Sequence, residues 1–310
     1  MIERSYSLLV NPISGGGAAP GAVVPVAHLL RAAGARVEVT YSPGPSEAVG
    51  LVEEAVARGD VVVSVGGDGM LSSLAGTVAS LGGTLGIVPA GRGNDFARML
   101  GLPSDPSDLA DLLLSAAPVA IDLLEVAMPG QSPRLVAGSL YAGVDAVAAE
   151  YVDLAHRLPV RLQYPYAAVR ALATYRPVDL RVVVDGTVHD FRAANVVVAN
   201  SAFYGSGMKI APAASLTDGR LDVIVIEAAS RRSLIRSLPT VYDGEHIHLA
   251  ETHVMQGESV QVSGLPAAPV GADGEPLGSL PATGESVIGV EVLPGAVQVL
   301  TPSPSRKDLP

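Results

Sequence analysis

A chain of 310 residues has room for two domains of ordinary size and a substantial core, which excludes a disordered segment or a disulfide-stapled miniprotein. Charged residues make up 16%, against about 25% in an average soluble protein, and the formal net charge of −11 argues against nucleic acid or anionic lipid bound by bulk charge. The absence of Cys removes disulfides, thiolate nucleophiles and Cys-ligated metal centres.

The start, MIERSYSLLV, places an acid at Glu3 and reaches Asn11-Pro12 before a signal-peptide core could form. The apolar region Leu112 to Met128 is interrupted by Pro118, Asp122 and Glu125, so it does not supply the roughly 20 apolar residues of a bilayer span. The chain therefore reads as cytoplasmic. In chain order the pattern predicts strand Tyr6–Val10, helix Ala22–Ala33, strand Ala35–Thr40, helix Ser46–Arg58, strand Val61–Val65, helix Met70–Leu81, strand Thr84–Val88 and helices over Asn94–Leu100 and Ser107–Leu114. Continuous apolar strands separated by helices of about a dozen residues imply crossovers, hence a parallel sheet buried on both faces. This α/β domain is expected to occupy residues 1–121.

From Ile121 the pattern changes to strand-like pieces: Ile121–Met128, Arg134–Ala142, Asp179–Val184, Thr187–Ala199, Leu221–Ile226, His246–Met255, Ser259–Val262, Val287–Val292 and Ala296–Leu300. Asp185-Gly186 between two apolar runs is a hairpin signal, so residues 122–300 read as mostly antiparallel. A helical insertion is expected over 146–175, and a disordered tail over 301–310. His246, His248 and His253 raise a metal reading, since residues two apart on a strand share a face; a solvated strand edge is the plainer reading.

Three Gly-rich turns end strands at one sheet edge: Asn11-Pro12-Ile13-Ser14-Gly15, Gly66-Gly67-Asp68-Gly69 and Pro89 through Asp95. Glycines let the backbone approach an anion, and a following helix N-terminus adds partial positive charge. Such a crevice at the carboxyl ends of parallel strands is where open α/β sheets bind ligands. Asp68 would repel phosphate unless it holds a metal or braces the loop. No P-loop, no G-x-G-x-x-G and no G-x-S-x-G occurs, which disfavours a P-loop ATPase, a dinucleotide Rossmann enzyme and an esterase.

These motifs, with Gly86 through Ala97, Ala211-Pro212 through Asp218-Gly219-Arg220-Leu221-Asp222-Val223, and Asp273-Gly274-Glu275, stand in the order seen in the diacylglycerol kinase catalytic family, which the chain resembles from about Ser5 to Pro302. GGDG alone would equally admit NAD kinases and phosphofructokinases. The resemblance implies a Rossmann-like N-terminal domain of the NAD kinase/phosphofructokinase kind, a C-terminal antiparallel β-sandwich, and ATP bound between them. It implies that Asn11, Pro12, Ile13, Ser14, Gly15, Ser42, Gly66, Gly67, Asp68, Gly69, Arg92 and Asn94 line the nucleotide, and that Asp273, with Glu275 beside it, is the general base. Asp218, with carbonyls of Ser215 and Arg220, is implied to hold a structural Mg²⁺, and Asp145 to lie on the substrate side.

Arg157 and Arg161 are candidates for the positive charge that a Lys supplies in P-loop enzymes; a solvated helix face is the plainer reading. The insertion and the acid-free Arg231, Arg232 and Arg236 are candidates for contact with a bilayer. The implied activity is an ATP- and Mg²⁺-dependent lipid kinase visiting membranes peripherally, with a homodimer left open. Met70 and Ser72-Ser73 depart from the family's usual residues after GGDG, which keeps open a decayed nucleotide-binding regulator beside an NAD kinase-like enzyme acting on a soluble substrate.

Overall fold

The computed structural model describes residues 4–42, 44–155 and 158–302. The chain divides into two compact units, residues 1–121 with 295–310, and residues 122–294. The chain from Gly295 onward, which the sequence pattern left in the second domain, clusters with the first unit. Of the expected tail, residues 303–310 lie outside the described residues.

The first unit runs β1 (Ser5–Val10), α1 (Ala19–Ala32), β2 (Arg36–Tyr41), α2 (Pro45–Ala57), β3 (Val61–Gly66), α3 (Asp68–Ser80), β4 (Thr84–Pro89), α4 (Asp95–Met99) and α5 (Pro106–Ser115). Strands β2-β1-β3-β4 pair in parallel, and residues 298–299 join beside β4. Burial follows position: every residue of β3 is buried, whereas edge strand β2 is nowhere fully buried. Helix α1 buries Ala19, Val23, Val26, Ala27 and Leu30, a stripe at helical spacing, in a core shared with α5 through Leu109, Ala110 and Leu113.

At the amino end of β3, Asp60 is a buried carboxylate accepting hydrogen bonds from Ser5, Ser7, Arg36 and Arg58. Burial alone would raise its pKa, but these four donors outweigh it and hold the group at about 2. The folded value lies below the unfolded one, so the stabilisation is present above about pH 4 and is lost as pH falls toward 2. The urea midpoint of the wild-type chain should fall over this window. Asp60→Asn should start lower and show less of that acid-dependent fall; an equal fall would remove Asp60 from the account.

The second unit is entered along β5 (Pro118–Ala127) and continues with β6 (Arg134–Val136), β7 (Ser139–Gly143), α6 (Val144–Leu154), α7 (Val160–Thr174), β8 (Val178–Val184), β9 (Thr187–Ala199), β10 (Leu221–Glu227), α8 (Arg231–Asp243), β11 (Thr252–Gly257), β12 (Ser259–Leu265), β13 (Pro269–Ala272), β14 (Glu275–Ser279) and β15 (Ile288–Leu300). Pairing is antiparallel in the order β14-β13-β7-β9-β8-β12-β15, with β10 between β9 and β11. Hairpin β8–β9 turns at Asp185 (φ 45°) and Gly186 (φ 80°), as the Asp-Gly pair predicts for a two-residue turn with both central residues at positive φ.

Four expectations change. The single strand over Arg134–Ala142 is broken at Ala137-Gly138, whose N–H groups are drawn to Asp273. The single insertion becomes α6 and α7, with Pro159 as the N-cap of the second helix. The strand expected from His246 begins only at Thr252, because α8 ends at Gly244 (φ 80°) and leads into a 3-10 turn, Glu245–His248. His246 is buried there against the carbonyl of Ile210 at 2.9 Å, while His253 pairs with Glu227 at 2.7 Å. The histidines therefore do not share a strand face, and the metal reading of them is withdrawn; among the described residues no group of three acidic or His side chains is placed to share a metal. The two strands expected at the end are one, β15.

Candidate active site

In the first unit, the carboxyl ends of β1, β3 and β4 open into the three Gly-rich loops. The Asn11 N–H donates to Val65 O (3.0 Å) and the Ala90 N–H to Gly66 O (2.8 Å), extending the strand ladders into the loops. The loops then meet backbone to backbone. A methyl group on Gly91 would lie 2.4 Å from Cα of Gly67, and one on Gly15 (φ 61°) would lie 2.4 Å from the carbonyl oxygen of Ala90. No side chain fits at either position, so both glycines are required by contact, and Gly15 also by its conformation. A small pocket lined by Ser64, Gly67, Asp68, Pro89 and Asn94 opens here.

Several polar side chains expected to face nucleotide are hydrogen-bonded to loop backbone. Asp68, in the first turn of α3, accepts the N–H of Phe96 at 3.0 Å, which is the loop-bracing role that the sequence left open for it. Asn94 (φ 53°) closes its own loop, its Oδ1 accepting from Gly91 N–H at 2.7 Å and its Nδ2 donating to Gly91 O at 3.2 Å. Asn11 Oδ1 accepts the Ile13 N–H at 3.2 Å, and Ser42 Oγ donates to Gly44 O at 3.1 Å. Pro12, Ile13 and Arg92 are exposed, and Ser14 half-buried. Met70 packs its sulfur against Gly66. Arg157 and the side chain of Arg161 lie outside the described residues.

In the second unit, Asp273 (φ 46°) and Gly274 (φ 88°) are the two central residues of the β13–β14 hairpin, so the motif is also an Asp-Gly turn. The Asp273 carboxylate accepts from the N–H groups of Ala137 (2.9 Å), Gly138 (3.0 and 3.1 Å, one to each oxygen) and Ser139 (2.8 Å). Glu275 is exposed at the start of β14. Asp145, in the first turn of α6, is half-buried; one of its oxygens accepts from both Tyr204 Oη and Asn195 Nδ2, and its own N–H donates to Asn195 Oδ1 at 3.2 Å. Burial pushes the Asp145 carboxyl up to about 6 against those two bonds. Tyr204 and Asn195 are partners that the sequence pattern missed; Asn195, the polar residue within the buried end of β9, was the available signal.

The loop 215–222 carries Asp218, the acid expected to hold a metal, and Asp222, which the sequence did not single out for that role. Asp218 Oδ1 accepts the Arg220 N–H at 3.1 Å, and buried Asp122 accepts the Gly219 N–H at 2.8 Å. Asp222 is buried, with Oδ1 bonded to Gln256 Nε2 at 3.0 Å and Oδ2 without a partner. Burial raises its pKa, the Gln256 bond opposes this, and Asp218 adds to the rise. An orphaned buried carboxylate oxygen beside a second carboxylate is the start of a hard-oxygen donor set of the kind that suits Mg²⁺. The Ser215 hydroxyl accepts the Thr217 N–H at 3.3 Å.

A parallel α/β unit whose strands end in three Gly-rich loops is thus followed by an antiparallel unit carrying acidic turns. Residues 5–126 match the diacylglycerol kinase catalytic domain, and residues 138–301 match the YegS C-terminal NAD kinase β-sandwich-like domain. The chain is 33% identical over 299 residues to a diacylglycerol kinase of Mycobacterium tuberculosis, covering 95% of this chain and 94% of that one. It is 26% identical over 285 residues to a diacylglycerol kinase of Bacillus subtilis, covering 88% and 90%. A crystal structure of a diacylglycerol kinase from Bacillus anthracis superposes with a TM-score of 0.73 at 18% identity, over 97% of each chain, and shares the fold. The chain belongs to the diacylglycerol kinase catalytic family and is a lipid kinase.

Proposed function

We propose that this lipid kinase transfers the γ-phosphoryl group of ATP to the free hydroxyl of a diacylglycerol-like lipid. The observation that carries the reading is the backbone-to-backbone packing of the Gly-rich loops, which admits no side chain at Gly15 or Gly91 and suits close approach of an anion to loop N–H groups. The lipid oxygen bonds to the γ-phosphorus as the bond to the β-phosphate oxygen breaks, ADP leaves, and the hydroxyl proton passes to Asp273. In a loose phosphoryl transfer the proton is lost late, so positioning dominates and a carboxylate within reach suffices. A carboxylate has about four lone-pair sites, and here all face backbone N–H groups. The Gly138 N–H is shared between both oxygens, so giving up one leg frees a site without losing a hydrogen bond.

A Mg²⁺ at the 215–222 loop would supply charge neutralisation and rigidity. Asp218 and the carbonyls of Ser215 and Arg220 would hold it, with Asp222 behind them. Asp218→Ala should raise the Mg²⁺ concentration for half-maximal activity at least about tenfold, the loss of one strong ligand interaction; an unchanged Mg²⁺ titration would remove the loop from the metal account.

Membrane contact is assigned to the second unit. Leu162 (48% exposed), Tyr166 (44%) and Val169 (41%) line the outer side of α7, while α8 exposes Arg232 and Arg236 opposite its buried Leu234. Apolar side chains beside arginines suit the headgroup boundary of an anionic bilayer. Sedimentation with phosphatidylglycerol vesicles should fall steeply with salt and be lost in Arg232→Glu/Arg236→Glu; binding unchanged in that variant would overturn the assignment. The activity itself is tested with labelled ATP, Mg²⁺ and a panel of lipid alcohols in mixed micelles. Label in a diacylglycerol product supports the reading, saturable labelling of NAD without detergent overturns it, and a melting temperature raised by ATP without turnover of any lipid identifies a decayed regulator.

A further inference from the structure

The Asp273 turn is held from a second side. Tyr141, buried in β7, stands opposite Gly271 of β13, where a methyl group would lie 2.6 Å from the Tyr141 ring. The phenol reaches past that glycine and accepts the Gly274 N–H at 3.1 Å. Its ring packs on Tyr204 with centroids 5.9 Å apart, and Tyr204 is tied through its hydroxyl to the Asp145 carboxylate. Asp273 N–H in turn donates to Ser139 O at 3.2 Å. The peptide that follows the acid is thus fixed by one phenol oxygen, and that phenol is fixed by a second tyrosine and a carboxylate.

From this geometry we infer that Tyr141 is a positioning residue for phosphoryl transfer: by holding the Gly274 peptide it sets the direction in which the Asp273 carboxylate faces the acceptor hydroxyl. An exposed two-residue turn with both residues at positive φ has alternative peptide orientations. The three N–H groups of residues 137–139 locate the carboxylate oxygens, and the Tyr141 bond stops the adjoining peptide from rotating them away. Burial raises the pKa of both phenols, so each stays protonated through neutral pH and Tyr204 remains a donor to Asp145. Gly271 belongs to the same device, because any side chain there would displace the ring.

The inference rests on Asp273 as the base, and a double-mutant cycle separates the two. Tyr141→Phe keeps the ring and removes the oxygen. It should lower kcat at least about tenfold, the scale of a misplaced catalytic group, with KM for ATP changed less than about twofold. In an Asp273→Asn background, followed by prolonged labelling, the same substitution should cost less than about twofold, because residues acting through one another are not additive. Amide exchange at Gly274 should quicken in Tyr141→Phe. Equal losses in both backgrounds, or no loss in the wild-type background, overturn the positioning role. Full activity of Asp273→Asn alone overturns the base, and with it the inference built on it.

Discussion

Asp273→Asn is expected to lower kcat by about 10²–10⁴, the range that a positioned general base supplies, while KM for ATP stays within a few-fold. The measurement is steady-state label transfer below the melting temperature of the variant. That control matters because this carboxylate also accepts three backbone N–H groups. An amide in its place turns one NH₂ toward those donors, and leaving buried donors unmet costs about 1–3 kcal/mol. A purely structural acid would lower the melting temperature and leave the turnover of the folded fraction intact; that result would remove the base from the mechanism.

Gly91→Ala should abolish nucleotide binding. The new methyl would lie 2.4 Å from Gly67 Cα and 2.9 Å from Asn94 Oδ1, and the backbone of the facing loop cannot yield as a flexible side chain would. Overpacking of this kind costs about 1–3 kcal/mol, but the larger effect is on shape, since separating the loops removes the surface that phosphates would occupy. With ATP at 100 times its Kd, the wild type gains about 2.7 kcal/mol of stability by mass action, visible as a raised melting temperature, and the variant should gain none. A variant that melts lower but keeps its ATP-dependent rise would show that the contact serves folding alone. Gly21, within α1 and not at positive φ, where a methyl meets nothing, is the control for the presence of a side chain.

Local signals carried the first unit. Its strands and helices emerged within a few residues of their observed ends because apolar runs, crossover spacing and Gly punctuation act over short stretches of chain. The same holds for the Asp185-Gly186 hairpin. The acid-rich motifs were also legible, and Asp68, Asp145, Asp218 and Asp273 all stand in organised polar surroundings. What those surroundings are was not legible. Asp273 meets residues 137–139, Asp145 meets Tyr204, and Tyr141 meets Gly274, pairs separated by 59 to 136 positions, and no local pattern encodes such pairings.

The errors have the same origin. His246 sits in an apolar-flanked run that reads as strand, but the preceding helix α8 ends at Gly244 and turns the ring inward to Ile210. Gly138 looked like a mid-strand residue, yet its N–H is claimed by an acid far along the chain.

By itself the sequence determined the parallel α/β unit, the antiparallel unit after it and the order of motifs that marks the family, because each is written in periodicity or in contiguous residues. The tertiary structure decided which polar groups are free to act. It committed Asp68 and Asn94 to bracing loops, surrounded Asp273 with backbone donors, and set two tyrosines between that turn and Asp145. A polar group's availability depends on what else competes for its lone pairs, and that competition is settled by residues distant in the chain.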